Sequence, residues 1–131
     1  MRHEKTKWYG WGSEGHFFGI EKRDKLQAYL RKHGLLKELK PRFSASIESV
    51  KCPKSSLPSE MLVRLAKIVG EDCYSVADPA RIRNAAGKGY RDLVNLRSLK
   101  LDAAPDVVIY PTSEEQVKSV LNFCADGGIA V

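Results

Sequence analysis

The feature that most constrains the fold is an apolar run followed by a capped amphipathic segment near the end of the printed sequence. The run over residues 106–110, DVVIY, is short and β-branched, which is typical of a strand covered on both faces in a parallel sheet. Pro111 ends this run. Thr112 and Glu115 then have the spacing of a capping box, which predicts that a helix begins there.

The helix predicted after Pro111 has one apolar face. Its apolar positions are Val117, Val120, Leu121 and Cys124, and its outer positions are Glu114, Gln116, Lys118 and Asn122. Gly127 or Gly128 supplies the positive-φ residue that ends it. Residues 129–131 predict the next parallel strand, reached by a right-handed crossover. Because strands usually run to ~5–6 residues, we expect the chain to be the N-terminal piece of a longer protein.

The N-terminal part of the sequence predicts helices preceded by an aromatic arm, which we define as residues 7–12. The arm holds both tryptophans of the chain, Trp8 and Trp11, beside two glycines, and we expect it to pack onto another surface. Leu26, Tyr29 and Leu30 fit one face of a helix over residues 21–33, which Gly34 ends, and residues 35–39 are compatible with a further turn.

A second helix is predicted over residues 60–69, after a loop over residues 43–58 that is rich in Ser, Lys and Pro. A hydroxyl between Ser56 and Ser59 would cap it, and Gly70 ends it. Its apolar stripe is Met61, Leu62, Leu65, Ile68 and Val69. The predicted organisation is therefore α+β: a helical region to about residue 80, a connecting segment over 81–103, and an opening βα(β) unit over 104–131 that is truncated.

Composition narrows the classes of function. The 131 residues are 43% hydrophobic and 29% charged, with a formal net charge of +6. The cations between residues 21 and 40 alternate with acids, which is typical of a solvated helical face and argues against nucleic-acid binding. The same positive field would attract an anionic membrane surface or a phosphorylated substrate. No apolar segment is long enough to span a membrane, and residues 1–5 lead into no apolar core of the kind a signal peptide has. We therefore expect a cytoplasmic protein, with peripheral membrane contact as an alternative.

Motifs that would assign chemistry are missing from the sequence. Cys52, Cys73 and Cys124 are far apart, which indicates neither a zinc site nor a disulfide framework. Gly87-Lys88 lacks the upstream glycine and the hydroxyl residue of a Walker loop. The three histidines have no ligand-spaced partner. The sequence therefore predicts no catalytic and no metal-binding residue.

Two stretches resemble a known superfamily. The runs RNAAGKGYRDL over 83–93 and APDVVIYPTSEEQV over 104–117 resemble the entry to the flavin domain of FAD-linked oxidases of the vanillyl-alcohol-oxidase type. Within that superfamily the arm, KWYGWG, resembles the N-terminal segment of alkyldihydroxyacetone-phosphate synthases. The chain departs from the family pattern at Asn84, where members often have histidine, and at Gly89, where they often have serine.

The resemblance implies that the whole protein is an FAD-dependent enzyme of ether-lipid synthesis with a lipid-like substrate. FAD-dependent oxidation of a 2-hydroxy acid is a related alternative, and a basic, non-catalytic interaction module is an alternative of another class. By the resemblance, Tyr110 and Pro111 would border the cofactor. The Gly-rich phosphate loop and the active-site residues of the family would follow residue 131, so we expect the 131 residues alone to be inactive, to bind no FAD and, because an apolar face is left uncovered, to self-associate.

Overall fold

The structure, a computed structural model, describes residues 6–14, 24–35 and 46–131. Within these ranges the helices are α1 (Asp24–Lys32), α2 (Ser59–Val69), α3 (Asp78–Arg83), α4 (Tyr90–Arg97) and α5 (Glu114–Asp126), and the strands are β1 (Tyr74–Ser75) and β2 (Val108–Ile109). Short 3-10 turns lie at Ile47–Ser49 and Glu71–Cys73. The predicted mixture of helices with a small sheet is confirmed.

Helix α1 confirms the first predicted helix over its described part. Gly34, with φ of +66°, ends it, and the Leu35 amide reaches back 2.9 Å to the Leu30 carbonyl, which closes the last turn. No residue of α1 is buried, and Tyr29 on its predicted apolar face is 57% exposed. The further turn predicted over residues 35–39 lies outside the described residues except for Leu35.

Helices α2 and α5 pack against each other and form one of two core clusters. Leu65 and Val69 of α2 meet Val120 and Cys124 of α5, and all four are buried. The predicted stripe of α2 is confirmed, and Gly70, with φ of +95°, ends the helix. The predicted hydroxyl cap is wrong: Pro58 occupies the N-cap position and no side chain bonds there, since the serines that precede it bind elsewhere.

The second core cluster lies under the aromatic arm. Trp8, only 7% exposed, packs with Ile47, Val50, Ile82 and Leu96. The last two belong to α3 and α4, so the segment over 81–103 contributes the end of α3, the whole of α4 and part of the core. The arm was predicted to pack, and Trp8 does so.

Trp11, the other tryptophan of the arm, is 63% exposed, so the two tryptophans differ in how far they are buried. Its indole nitrogen donates to the Lys88 carbonyl at 2.9 Å. The Arg97 Nε donates to the Tyr9 carbonyl at 3.1 Å, and Lys88 Nζ donates to the Lys7 carbonyl at 3.2 Å. The arm is therefore attached to the segment that includes α4 by polar bonds on its outer side and by Trp8 on its inner side.

The sheet differs from the predicted parallel arrangement. β2 is two residues long and pairs antiparallel with β1, with Tyr74 opposite Ile109 and Ser75 opposite Val108. The apolar run was identified correctly, but its partner comes from the turn after α2. A short β-branched run does not specify the direction of its neighbour, because pairing depends on residues distant in sequence.

The end of the predicted βα(β) unit also differs. Helix α5 begins one residue later than predicted, with Ser113 as its cap: the Ser113 hydroxyl accepts from the Gln116 amide at 3.2 Å. Thr112 instead donates its amide to the Gln116 side chain at 2.8 Å. Gly128, with φ of +63°, closes the helix as predicted. Residues 129–131 form no strand, since the described part of the sheet pairs β2 with β1 and offers them no ladder.

Candidate functional site

An apolar groove lies beside α5. It has a volume of about 410 Å³ and lies between β2, α5 and residues 129–131. The residues that line it are Leu57, Leu65, Asn84, Pro105, Val107, Val108, Ile109, Pro111, Val117, Val120, Leu121, Phe123, Cys124, Ile129, Ala130 and Val131. We call this feature the α5 groove. Its walls include Val117 and Leu121, which are 42% and 49% exposed although the sequence placed them on the buried face.

Tyr110 and Pro111, the two residues predicted to border a cofactor, differ in their relation to the groove. Pro111 is exposed and lines the α5 groove. Tyr110 is half-buried and lies outside the lining, and its amide donates to the Cys73 carbonyl at 2.8 Å, which extends the pairing of β1 with β2. Pro111 therefore lines the groove, whereas the Tyr110 backbone belongs to the sheet.

The chemistry of the groove can be compared with that of FAD. A diphosphate is held by converging backbone amides or by cations. The α5 groove is lined by apolar side chains apart from Asn84, whose amide nitrogen already donates to the Ala80 carbonyl at 2.8 Å. These residues do not fit the diphosphate of FAD. They fit an apolar surface, and no step of flavin chemistry follows from them.

Arg81 fixes one edge of the groove and is a residue that the sequence did not single out. Its side chain is 4% exposed. The guanidinium donates to the Pro105 carbonyl and to the Pro53 carbonyl, each at 2.7 Å, and pairs with Asp78 at 3.1 Å. Because Pro105 lies in the groove wall, this buried cation holds that wall against α3 and the segment before α2. An arginine in a helix gives no sequence signal that distinguishes this role from an ordinary solvated position.

Asp106 makes a second tie across the same edge. Its carboxylate accepts from the Ser56 amide at 2.7 Å and from the Ser56 hydroxyl at 3.2 Å. The amide bond is the main cause that lowers the pKa of the Asp106 carboxyl below its usual 3.8. The loop before α2 is thereby attached to the chain two residues before β2.

The titratable groups near the groove suggest no nucleophile or metal site. Burial raises the pKa of the Cys52 thiol above its usual 9.0, in spite of the nearby Arg81 cation, so the thiol is protonated at neutral pH and a poor nucleophile. Among the described residues no group of three or more His, Cys, Asp or Glu side chains could hold a metal ion. Nor does any helix in those ranges combine the length and apolarity needed to cross a membrane.

The fold is found as one part of a much larger solved chain. Two crystal structures superpose on 94% of this chain with TM-scores of 0.79 and 0.77, at 23% and 21% sequence identity, and the match covers 25% and 26% of those chains. The class that this defines is a mixed helical and β fold, which occupies about a quarter of each of those two chains. Both solved proteins are alkyldihydroxyacetonephosphate synthase.

Curated relatives agree with the structural match. The alkyldihydroxyacetonephosphate synthase of Caenorhabditis elegans is 26% identical over 146 aligned positions, which cover 99% of this chain. The synthase of Trypanosoma brucei brucei is 23% identical and covers 98%. The chain spans about a quarter, 24%, of the length of each relative. No protein-family model matches the chain. The resemblance predicted from the sequence, to alkyldihydroxyacetone-phosphate synthases, is confirmed.

Proposed function

We propose that the chain is the N-terminal part of an FAD-dependent enzyme of the alkyldihydroxyacetone-phosphate synthase type. The reaction is the exchange of the acyl chain of acyl-dihydroxyacetone phosphate for a fatty alcohol, a step of ether-lipid synthesis. In this proposal the 131 residues hold neither the flavin nor the reacting groups. They supply a scaffold against which the flavin-binding part of the enzyme folds.

The observation that supports this most directly is the extent of the similarity. Nearly all of this chain aligns with synthases from a nematode and a trypanosome, and it does so over only 24% of their length. A chance resemblance through one motif would leave most of the chain unaligned. The alignment instead includes the aromatic arm, both core clusters and the βα tail together.

The α5 groove supports the scaffold role. Exposed apolar surface of this kind, with Val117, Leu121 and Val131 at 42%, 49% and 89% exposure, is typical of a face that another element covers. Its lack of groups that bind a diphosphate agrees with a flavin held by other residues. We therefore infer that polypeptide from the remaining three quarters of a synthase-like protein packs against this groove.

The test uses the natural protein from its source. Mass spectrometry gives the length of the natural polypeptide, the visible absorption spectrum detects flavin, and incubation with acyl-dihydroxyacetone phosphate and a labelled fatty alcohol detects alkyl-dihydroxyacetone phosphate. We expect a polypeptide roughly four times as long as this chain, a flavin spectrum and labelled ether product. The isolated 131-residue chain is the matched control, and we expect it to be colourless and inactive.

Two other outcomes of these measurements would favour the alternative functions. A flavoprotein that oxidises 2-hydroxy acids and forms no ether product would favour the oxidase. A natural polypeptide of 131 residues without flavin would reject the enzyme and leave a basic interaction module.

A further inference from the structure

Among the described residues, Leu99 alone combines a side chain with a positive φ, of +58°. It directly follows Ser98, the residue that caps the end of α4. We propose that the Leu99 side chain is a contact of the whole protein, covered by apolar residues from the part of a synthase-like polypeptide that lies outside these 131 residues. The proposal rests on the proposed function and adds a second contact to the one at the α5 groove.

The turn at Leu99 is of a kind that usually contains glycine. The Leu99 amide donates to the Leu96 carbonyl at 3.0 Å. The Lys100 amide donates to the Asn95 carbonyl at 2.9 Å, which completes the bond pattern of a Schellman motif. Glycine is preferred at the left-handed position because it has no Cβ to approach the backbone. A leucine there makes the conformation about ten-fold less favourable.

The backbone conformation of this turn has a cause in the packing on either side of it. Leu96 is buried in the cluster around Trp8, and Leu101 packs against the same cluster. Because both ends of the segment are fixed to one cluster, the chain has to turn between them. The packing therefore explains the turn but not the leucine, since glycine would form the same turn without strain.

The core clusters do not explain the leucine side chain either. Leu99 is 38% exposed and is not one of the buried or half-buried residues of either core cluster. Val94, whose carbonyl accepts from the Ser98 amide at 3.1 Å, is 42% exposed, so apolar surface continues from Leu99 along α4. Strain in a native structure is kept where the strained residue has a use. We therefore assign the use of Leu99 to an apolar partner.

The rest of a synthase-like polypeptide suits this contact better than a second copy of the chain. The chain covers 24% of the length of each curated relative, so about three quarters of such a polypeptide lies outside it. Leu99 and Val94 offer far less area than the ~1,200 Å² or more that a stable interface between separate chains buries. A contact within one polypeptide needs no such area, because its two sides are already linked.

Hydroxyl-radical footprinting read by mass spectrometry measures directly whether the Leu99 side chain is covered. The isolated 131-residue chain is compared with the longer natural protein from its source. We expect Leu99 to be oxidised readily in the 131-residue chain. In the longer protein we expect its oxidation to be as slow as that of Leu65, which is 3% exposed and is the control for a protected leucine in both samples.

Two substitutions separate the strain from the side chain, with protection of the α4 amides from hydrogen exchange as the measurement. Leu99→Ala removes the side chain beyond Cβ and keeps the strain, whereas Leu99→Gly removes both. In the 131-residue chain we expect Leu99→Gly to be about five-fold better protected than Leu99→Ala. In the longer protein each variant should lose about ten-fold more protection, relative to wild type, than in the 131-residue chain. Ser113→Ala is the control, read at α5, because its hydroxyl bond lies within that helix and its effect should be equal in both.

Equal oxidation of Leu99 in the two samples, or equal effects of its variants in them, would overturn the proposal. Protection of Leu99 in the 131-residue chain would also overturn it and would assign the cover to that chain itself or, if the protection grew with concentration, to a second copy. A natural polypeptide of only 131 residues would reject this contact together with the proposed function. A longer polypeptide without flavin would reject the proposed function alone, because neither measurement requires bound flavin and a covered Leu99 would still support the contact.

Discussion

Arg81 is the buried charge on which the edge of the α5 groove depends. Its guanidinium bonds two backbone carbonyls and Asp78, and removing it leaves both carbonyls without these donors in a nearly dry site. We expect Arg81→Met to lower the free energy of unfolding by about 3 kcal/mol, measured by urea denaturation.

The control for Arg81 is Arg31→Met, because Arg31 is exposed on α1 and donates to the side chain of Gln27 in the same helix at 3.2 Å. We expect it to change the free energy of unfolding by less than about 0.5 kcal/mol. The loss of free energy of unfolding from Arg81→Lys should lie between these two values, since one ammonium group cannot donate to all the partners that the planar guanidinium reaches. Equal effects of Arg81→Met and Arg31→Met would show that the three contacts contribute nothing.

Asp106 gives the chain a pH dependence in the acid range. The pKa of its carboxyl is lowered in the folded state, so the stabilisation is present above about pH 4, the ordinary range of an unfolded carboxyl, and is lost as the pH falls through the folded pKa. We expect Asp106→Asn to be less stable than wild type at neutral pH and to lose less stability between roughly pH 5 and pH 3. Chemical denaturation across this range makes the measurement.

The atom that lowers the Asp106 pKa can be identified separately. Ser56→Ala removes the 3.2 Å hydroxyl bond and keeps the 2.7 Å amide bond, and the amide is the larger cause. In an NMR titration the Asp106 pKa should therefore rise only part of the way to 3.8. A full return to the ordinary value would assign the effect to the hydroxyl.

The start of α5 tests which hydroxyl caps the helix. Ser113 accepts from the Gln116 amide, whereas Thr112 contacts only the Gln116 side chain. We expect Ser113→Ala to cost about 1 kcal/mol of stability and Thr112→Ala clearly less, as measured by thermal unfolding. The reverse order would restore the cap that the sequence predicted.

The aromatic arm is an element in which two tryptophans have different roles. Trp8→Ala empties a site among the four other buried residues of its cluster, and we expect a loss of about 3–5 kcal/mol. Trp11→Ala removes one exposed hydrogen bond, and we expect a loss of about 1 kcal/mol or less. The melting temperatures of the two variants decide this, and similar values would contradict the packing of Trp8.

The comparison of elements shows which parts of the fold follow from the sequence. Helices α2 and α5 were predictable because their apolar spacing and terminal glycines are local signals. The partner of β2 was not, since strand pairing joins residues some 35 positions apart, Tyr74 and Ile109. Helix α4 was missed because a helix of eight residues gives too few turns for its apolar period to be evident.

Most of the candidate site could not be predicted, because it too depends on contacts between residues distant in sequence. Tyr110 and Pro111 were named through the resemblance as residues that border a cofactor, and that role stays a prediction; the structure shows only that Pro111 lines the groove. The groove itself, and Arg81 at its edge, arise where segments near residues 53, 81 and 105 meet. Such a meeting is a property of the tertiary structure and has no local sequence pattern.

At the scale of the molecule, the two core clusters stabilise different surfaces. The cluster around Trp8 positions the arm and the exposed side of α4. The cluster between α2 and α5 positions the α5 groove. Arg81 and Asp106 connect the segments that lie between the clusters. A substitution in one cluster is therefore expected to affect mainly the surface that this cluster supports.

The exposed wall of the α5 groove predicts that the isolated chain self-associates. Val117 and Leu121 are exposed beside Val131, and a contiguous apolar wall of this kind favours contact with a second copy. We expect sedimentation velocity to show concentration-dependent association that Leu121→Glu weakens at least ten-fold, since it would place a charge in an apolar contact. Val63→Glu is the matched control, because Val63 is 55% exposed on α2 and lies outside the groove lining. A wild-type chain that stays monomeric at high concentration, or a Val63→Glu chain that dissociates as readily as Leu121→Glu, would reject the groove as the contact.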